Sequence, residues 1–242
     1  MTPGYYAGVA RVGHRNLIAE GDGPMMTWRR PSADQIRSFL DAQSRFDYTY
    51  TALGATYETP PGGYRVDRTT AVLGQGGEVF ARARAALERW AQMDLGWVKA
   101  WPERVPIREG AMVAIVARLF GRWWTSACRI VRVVDEPDAT VSRFGFAYGT
   151  LPDHAGTGEE RFLIEWDRQT NEVRYDILAF SRPQWLSARL AYAYMRRLQK
   201  RFGRESAAAM RRAVAEAGPG VANRPEPTTD LPSDPGTGYD GP

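Results

Sequence analysis

The stretch from Trp185 to Glu216 contains no proline and one glycine, Gly203. It follows Ser181-Arg182-Pro183, where proline suits the first turn of a helix. A segment of that length predicts one long helix, on the order of 45 Å at 1.5 Å per residue. Leu190, Tyr194, Leu198 and Phe202 recur along it with Ala191 and Met195 alongside, an apolar stripe suited to lying on a sheet. The preceding chain must supply that sheet.

It does so as a succession of extended segments. A β-branched run at Arg68 to Leu73 predicts a strand, Gly74-Gln75-Gly76-Gly77 breaks it, and Val79, Phe80, Ala83, Leu87 and Trp90 then fall at helical spacing. Further strands are predicted at Trp97 to Trp101, Ala111 to Leu119, Trp123 to Val134, Arg143 to Thr150, Arg161 to Trp166 and Glu172 to Phe180. Short turns at Phe120-Gly121-Arg122 and Asp167 to Asn171 join successive strands as hairpins, which implies an antiparallel sheet. Upstream, Ser32 is placed to cap a helix whose Ile36, Phe39 and Leu40 share one face and which ends near Ser44.

The fold class expected is therefore α+β, a curved antiparallel sheet of about seven strands wrapped around a long C-terminal helix. Its bounds are residues 29–216, between a flexible leader at 1–28 and a disordered, proline- and glycine-rich acidic tail at 217–242. This element order is that of the helix-grip proteins, the START-like and Bet v 1-like (SRPBCC-type) superfamily. A strongly bent sheet around one helix leaves space between them, so an apolar cavity is expected.

The chain carries a formal charge of +4, and its tail from Gly218 holds one base against four acids, so the remainder stands at +7. Of 32 basic residues only Lys99 and Lys200 are lysine, a skew that looks compositional and lowers the information in any single arginine. With Cys128 as the sole cysteine and His14 and His154 the sole histidines, neither a disulfide nor a tetrahedral zinc site of the usual ligands is expected. The longest apolar run, Ala111 to Ala117, is far short of the roughly 20 residues of a membrane span. The reading is a cytoplasmic protein with no metal and no cofactor.

Five segments resemble the DUF1990 family, uncharacterised proteins of bacteria and plants: LGQGGEVF at Leu73 to Phe80, VVDEP at Val133 to Pro137, RFGFAYGTLPDH at Arg143 to His154, GEERF at Gly158 to Phe162 and AFSRP at Ala179 to Pro183. The resemblance spans nearly all of the domain. It implies membership and lends no catalytic residues.

Alternation places Phe144, Phe146 and Tyr148 on one side of their strand and Gly145, Ala147 and Gly149 on the other, with the aromatic side expected inward. A small hydrophobic or amphipathic ligand is the expected partner, lined by Arg118, Trp124, Arg129, Phe146, Tyr148, Phe162, Trp166, Tyr175 and Tyr194. Acid/base candidates are His154, Asp176 and Glu160, the first near Asp153, Glu159 and Glu160 in a short loop. Against these stand plain alternatives: a loop that collects polar residues, a Glu160–Arg161 surface pair, and an internal Arg–Asp pair that fixes strand register. The glycine turn at 74–77 matches neither a dinucleotide fingerprint nor a P-loop. The basic face of the C-terminal helix allows a membrane surface or nucleic acid as partner, not favoured here because solvated arginines explain it as well. Oligomeric state is not legible in these residues.

Overall fold

The first helix, α1 (Ala33–Gln43), starts where its capping residues dictate. The Gln35 amide donates to Ser32 Oγ at 3.2 Å and the Ser32 amide donates to Gln35 Oε1 at 2.8 Å, a reciprocal capping box. Ile36, Phe39 and Leu40 then pack with Ala114, Val116, Ala127 and Leu151 on the outer face of the sheet. These relationships come from a computed structural model, which describes residues 24–184 and 192–218.

Among the described residues eight strands form one antiparallel sheet: β1 (Met25–Thr27), β2 (Arg65–Gln75), β3 (Val98–Trp101), β4 (Met112–Leu119), β5 (Arg122–Glu136), β6 (Val141–Thr150), β7 (Gly156–Asp167) and β8 (Glu172–Pro183). Seven of them run in the order β2-β8-β7-β6-β5-β4-β3, and β1 pairs with the start of β5. Bulges at Val72/Gly74 in β2 and Ile130/Arg132 in β5 bend the strands and help the sheet curl. Helix α2 (Gly77–Glu88) and the long C-terminal helix, α3 (Tyr192–Glu216), cover its concave side. This is the helix-grip arrangement expected from the element order.

The glycine turn serves the strand-to-helix connection. The Gly76 amide donates to the Asn171 carbonyl at 2.9 Å, and a Cβ on Gly77 would lie 2.8 Å from the Trp166 ring. Glycine is needed there for close approach. Farther along, Arg84 of α2 grips both Asp135 oxygens at 2.7 Å, so the VVDEP segment ties α2 to β5.

The apolar stripe of α3 lies on the sheet as expected, with Leu198, Ala207, Met210 and Ala213 buried. Gly203 sets how closely: a Cβ there would come within 2.4 Å of Thr69 Oγ1 on β2. Tyr175 Oη lies 3.0 Å from Ser206 Oγ, which satisfies both groups in the core. No helix among the described residues is long and apolar enough to cross a membrane.

The leader expected at 1–28 is shorter than read, because Met25, Met26 and Thr27 pair with Thr125, Trp124 and Trp123. Three residues without periodicity carry no strand signal of their own; the exposed edge of β5 supplies it. Residues 1–23, the first turns expected at Trp185 to Ala191, and the tail beyond 218 lie outside the described residues.

Candidate functional site

The concave face reads as cross-strand rows, because side chains two apart on each strand share a face. Phe144, Ile164, Tyr175 and Ala71 form one row, and Phe146, Phe162, Ile177 and Thr69 the next. Both belong to the apolar core around Trp90 and Met210. The following row is Tyr148, Glu160, Ala179 and Asp67, and the outermost contains Gly158, Ser181 and Arg65. The face thus changes from packed and apolar to polar within one step of two residues.

At that change the sheet and α3 separate to leave a cavity of about 260 Å³. Met93, Trp97, Ile115, Leu119, Ile177 and Phe202 give it apolar walls, while Glu160, Asp67, His154 and Gln199 bring polar groups. The packed rows stop it from extending toward α2: Phe146 stacks 4.8 Å from Trp90 and Phe162 lies 6.3 Å from Phe202.

Glu160 is the chemical centre of this lining. Tyr148 Oη donates to its Oε2 at 2.6 Å, and among the described residues Oε1 has no hydrogen-bond partner. Burial raises the carboxyl to about 7; the Tyr148 hydrogen bond works against this and the charge of Asp67 with it. Asp67 itself is held by the Arg196 guanidinium, which also donates to Gln199 Oε1 at 2.8 Å, and Gln199 Nε2 donates to Ser181 Oγ at 2.9 Å. One carboxyl of the row is neutralised by α3, and the other faces the cavity.

His154 lines the same cavity from the β6–β7 connection. The Gly156 amide donates to its Nδ1 at 3.1 Å, and burial lowers the ring to about 4, so the imidazole is neutral at physiological pH. Two of the three acid/base candidates therefore open into one space. The third does not.

Asp176 faces the convex side, almost fully buried, with Arg68 of β2 at 2.6 Å and Arg161 of β7 at 3.1 Å. Both arginines sit opposite Leu178, one on either neighbouring strand, so the carboxylate ties three strands in register. Asp176 thus forms the internal Arg–Asp pair that fixes strand register and, contrary to expectation, does not reach the cavity as an acid/base. The Glu160–Arg161 surface pair is likewise corrected, since the two side chains leave β7 on opposite faces.

Of the nine expected lining residues, Tyr148 alone is in the cavity wall. Arg118 is exposed on the convex face beside Trp123, and Arg129 donates to the Ser44 and Phe46 carbonyls at 2.8 and 2.9 Å. Phe146, Phe162 and Tyr175 are fully buried core. Trp166 packs on Phe80 and donates to Asn171 Oδ1, at the far end of the sheet. Trp124 donates to the Leu119 carbonyl at 3.2 Å, and Tyr194 stacks 4.5 Å from Phe120 at the β4–β5 turn. Sequence periodicity gives the face of a side chain but not its position along the strand relative to the helix above, so residues of the filled end were expected at the open end.

The same limit hid Asp67, Ala179, Leu119 and Gln199. Leu198 and Phe202 could have been found, since they belong to the α3 stripe. On the basic face of α3, Arg197, Lys200 and Arg204 are exposed, while Arg201 pairs with Glu205 at 2.7 Å.

A family model described as "Domain of unknown function (DUF1990)" matches residues 49–209. A UPF0548 protein of Dictyostelium discoideum is 34% identical over 208 residues, covering 78% of this chain and 96% of that protein. A UPF0548 protein of Deinococcus radiodurans is 34% identical over 202 residues, covering 78% and 99%. Among solved structures, human STARD10 superposes with a TM-score of 0.40 at 11% identity, covering 78% of this chain and 81% of that one. A superposition that loose carries no information on function.

Proposed function

This chain belongs to the DUF1990 family, and from that premise we propose that it binds a small hydrophobic or amphipathic molecule in the cavity between its sheet and α3. The observation that carries the proposal is the cavity itself: about 260 Å³, walled by apolar side chains, with the half-buried Glu160 carboxyl presented to its interior. Pockets that hold small molecules are mostly apolar with a few convergent polar groups, and this one has that character at a size just below the usual range. A cytoplasmic setting goes with the proposal.

Native mass spectrometry of the purified protein and quenching of Trp97 fluorescence by added naphthalene test it. Ala179 has its side chain in the lining, so Ala179→Leu should fill the space and abolish the quenching while the fold is retained. Quenching that survives Ala179→Leu unchanged would place the probe elsewhere and refute the proposal.

A second reading, an enzyme of the same fold, is favoured by one observation. A carboxyl raised to about 7 that faces an apolar space is poised for proton transfer near neutrality. In that reading Glu160 is the acid/base and Tyr148 the residue that orients it. Turnover of a bound substrate that disappears in Glu160→Gln while binding persists would distinguish catalysis from carriage.

A further inference from the structure

The polar row across the cavity is unbalanced in charge. Glu160 and Asp67 stand in one row with Ala179 between them, two strand spacings or about 10 Å apart. Arg196 reaches down from α3 and neutralises Asp67. Among the described residues no equivalent reaches Glu160. From β6 it meets the neutral Tyr148 hydroxyl, from β8 the methyl of Ala179, and from the β6–β7 connection His154, which burial keeps uncharged above about 4. Of the other cations of the lining, Arg65 is exposed one row farther out, where solvent screens it, and Arg182, next to Ser181 in β8, turns to the convex face, over the Tyr64 ring at 4.6 Å.

Ionised, Glu160 is therefore a partly buried charge with no counterion among the described residues, a costly arrangement against apolar walls. A neutral ligand leaves it so. An anionic ligand adds repulsion from Glu160. A cation repairs the imbalance, and the aromatic rings of Tyr148 and Phe202 in the wall accept one against their faces.

The geometry points to a protonated amine as the polar head of the ligand: an apolar ring or short chain bearing one cationic nitrogen that pairs with Glu160. This rests on the cavity reading above and narrows it to a chemical class. The free Oε1 receives the N–H, and Tyr148 holds the carboxylate in place through Oε2. Because the empty site favours the neutral acid, binding displaces a proton from Glu160.

Three probes with one apolar body and different heads test it: 2-naphthylmethylamine, 2-naphthylmethanol and 2-naphthoate, each titrated by calorimetry into the full-length protein. Near pH 8 the amine should bind about tenfold tighter than the alcohol, and the preference should shrink near pH 5.5 as Glu160 takes up its proton. Glu160→Gln should bring the amine down to the affinity that the alcohol shows for the same variant, with thermal unfolding showing that the variant folds. If that variant does not fold, the pH comparison on the unaltered protein decides, and Tyr148→Phe, which keeps the carboxylate but frees its orientation, should weaken the amine preference without abolishing it. Alcohol or naphthoate binding as tightly as the amine overturns the amine class and leaves the cavity reading standing. Failure of all three probes to bind overturns the cavity reading itself.

Discussion

Glu159 and Glu160 are neighbours in β7, yet they serve opposite faces of the sheet. Glu160 opens into the cavity. Glu159, 3% exposed, accepts from Tyr50 Oη at 2.8 Å, from the Gly54 amide at 2.7 Å, and from the Thr56 amide and hydroxyl at 3.0 and 2.5 Å. One dipeptide anchors the 50–57 loop outside and supplies the chemical group inside, as the period of two in a strand requires.

Removing the outer carboxylate should free the loop. Glu159→Ala leaves two buried amides and two hydroxyls without an acceptor, and we expect a loss of roughly 3–5 kcal/mol in urea unfolding. Chymotrypsin should then cut at Tyr50 or Tyr57 well before the rest of the domain. Unchanged protease resistance of this loop would contradict the anchoring role.

The inner carboxyl should make stability fall as pH rises. Its folded value, about 7, lies above the ordinary carboxyl value, so between those limits the folded state holds a proton that the unfolded state has released. The contribution is fully present below the unfolded value and is lost as pH climbs through about 7. Glu160→Gln should therefore match the parent near pH 4.5 and exceed its stability near pH 8, by on the order of 1–2 kcal/mol. A variant less stable than the parent near pH 8 would show that the carboxylate is compensated.

His154 should act in the reverse sense. Its folded value, about 4, lies below that of a free imidazole, so stability is present above the unfolded value and declines as pH falls through about 6.5 toward 4. Thermal melts of His154→Gln across that range should show a flatter acid limb than the parent. Identical acid limbs would mean that the ring reaches solvent.

Asp176 is predicted to be structural throughout. Asp176→Ala strands Arg161, which is mostly buried, and should cost about 3–5 kcal/mol, whereas any ligand measured on the folded fraction should bind as before. Loss of affinity without loss of stability would return Asp176 to the site.

Gly158 carries a strict backbone requirement, with φ at +150° and a would-be Cβ 1.9 Å from the Phe180 carbonyl oxygen. Gly158→Ala should cost about 3 kcal/mol or more and disturb the β7–β8 register next to Glu160. An alanine variant that melts with the parent would mean that the backbone shifts freely there.

Much of the fold was legible in the sequence because local chemistry alone specified it. Ser32 marked the start of α1, and the aromatic alternation at Phe144, Phe146 and Tyr148 marked the inner face of β6. On the reverse face Tyr50 packs where a Gly149 side chain would stand. β1 was not legible, since its pairing depends on an edge supplied by residues a hundred positions away.

The site was legible by type and not by place. The sequence by itself determined that a curved sheet, a long apolar-striped helix and the GEERF carboxylates would occur together, because periodicity and capping act over a few residues. Only the tertiary structure decided which rows of the sheet the helix covers tightly and which it leaves open. That depends on Gly203 seating against Thr69, on Arg196 reaching Asp67 and on Phe146 and Phe162 filling the other end. Each is a contact between distant segments, fixed by packing and charge compensation rather than by local pattern.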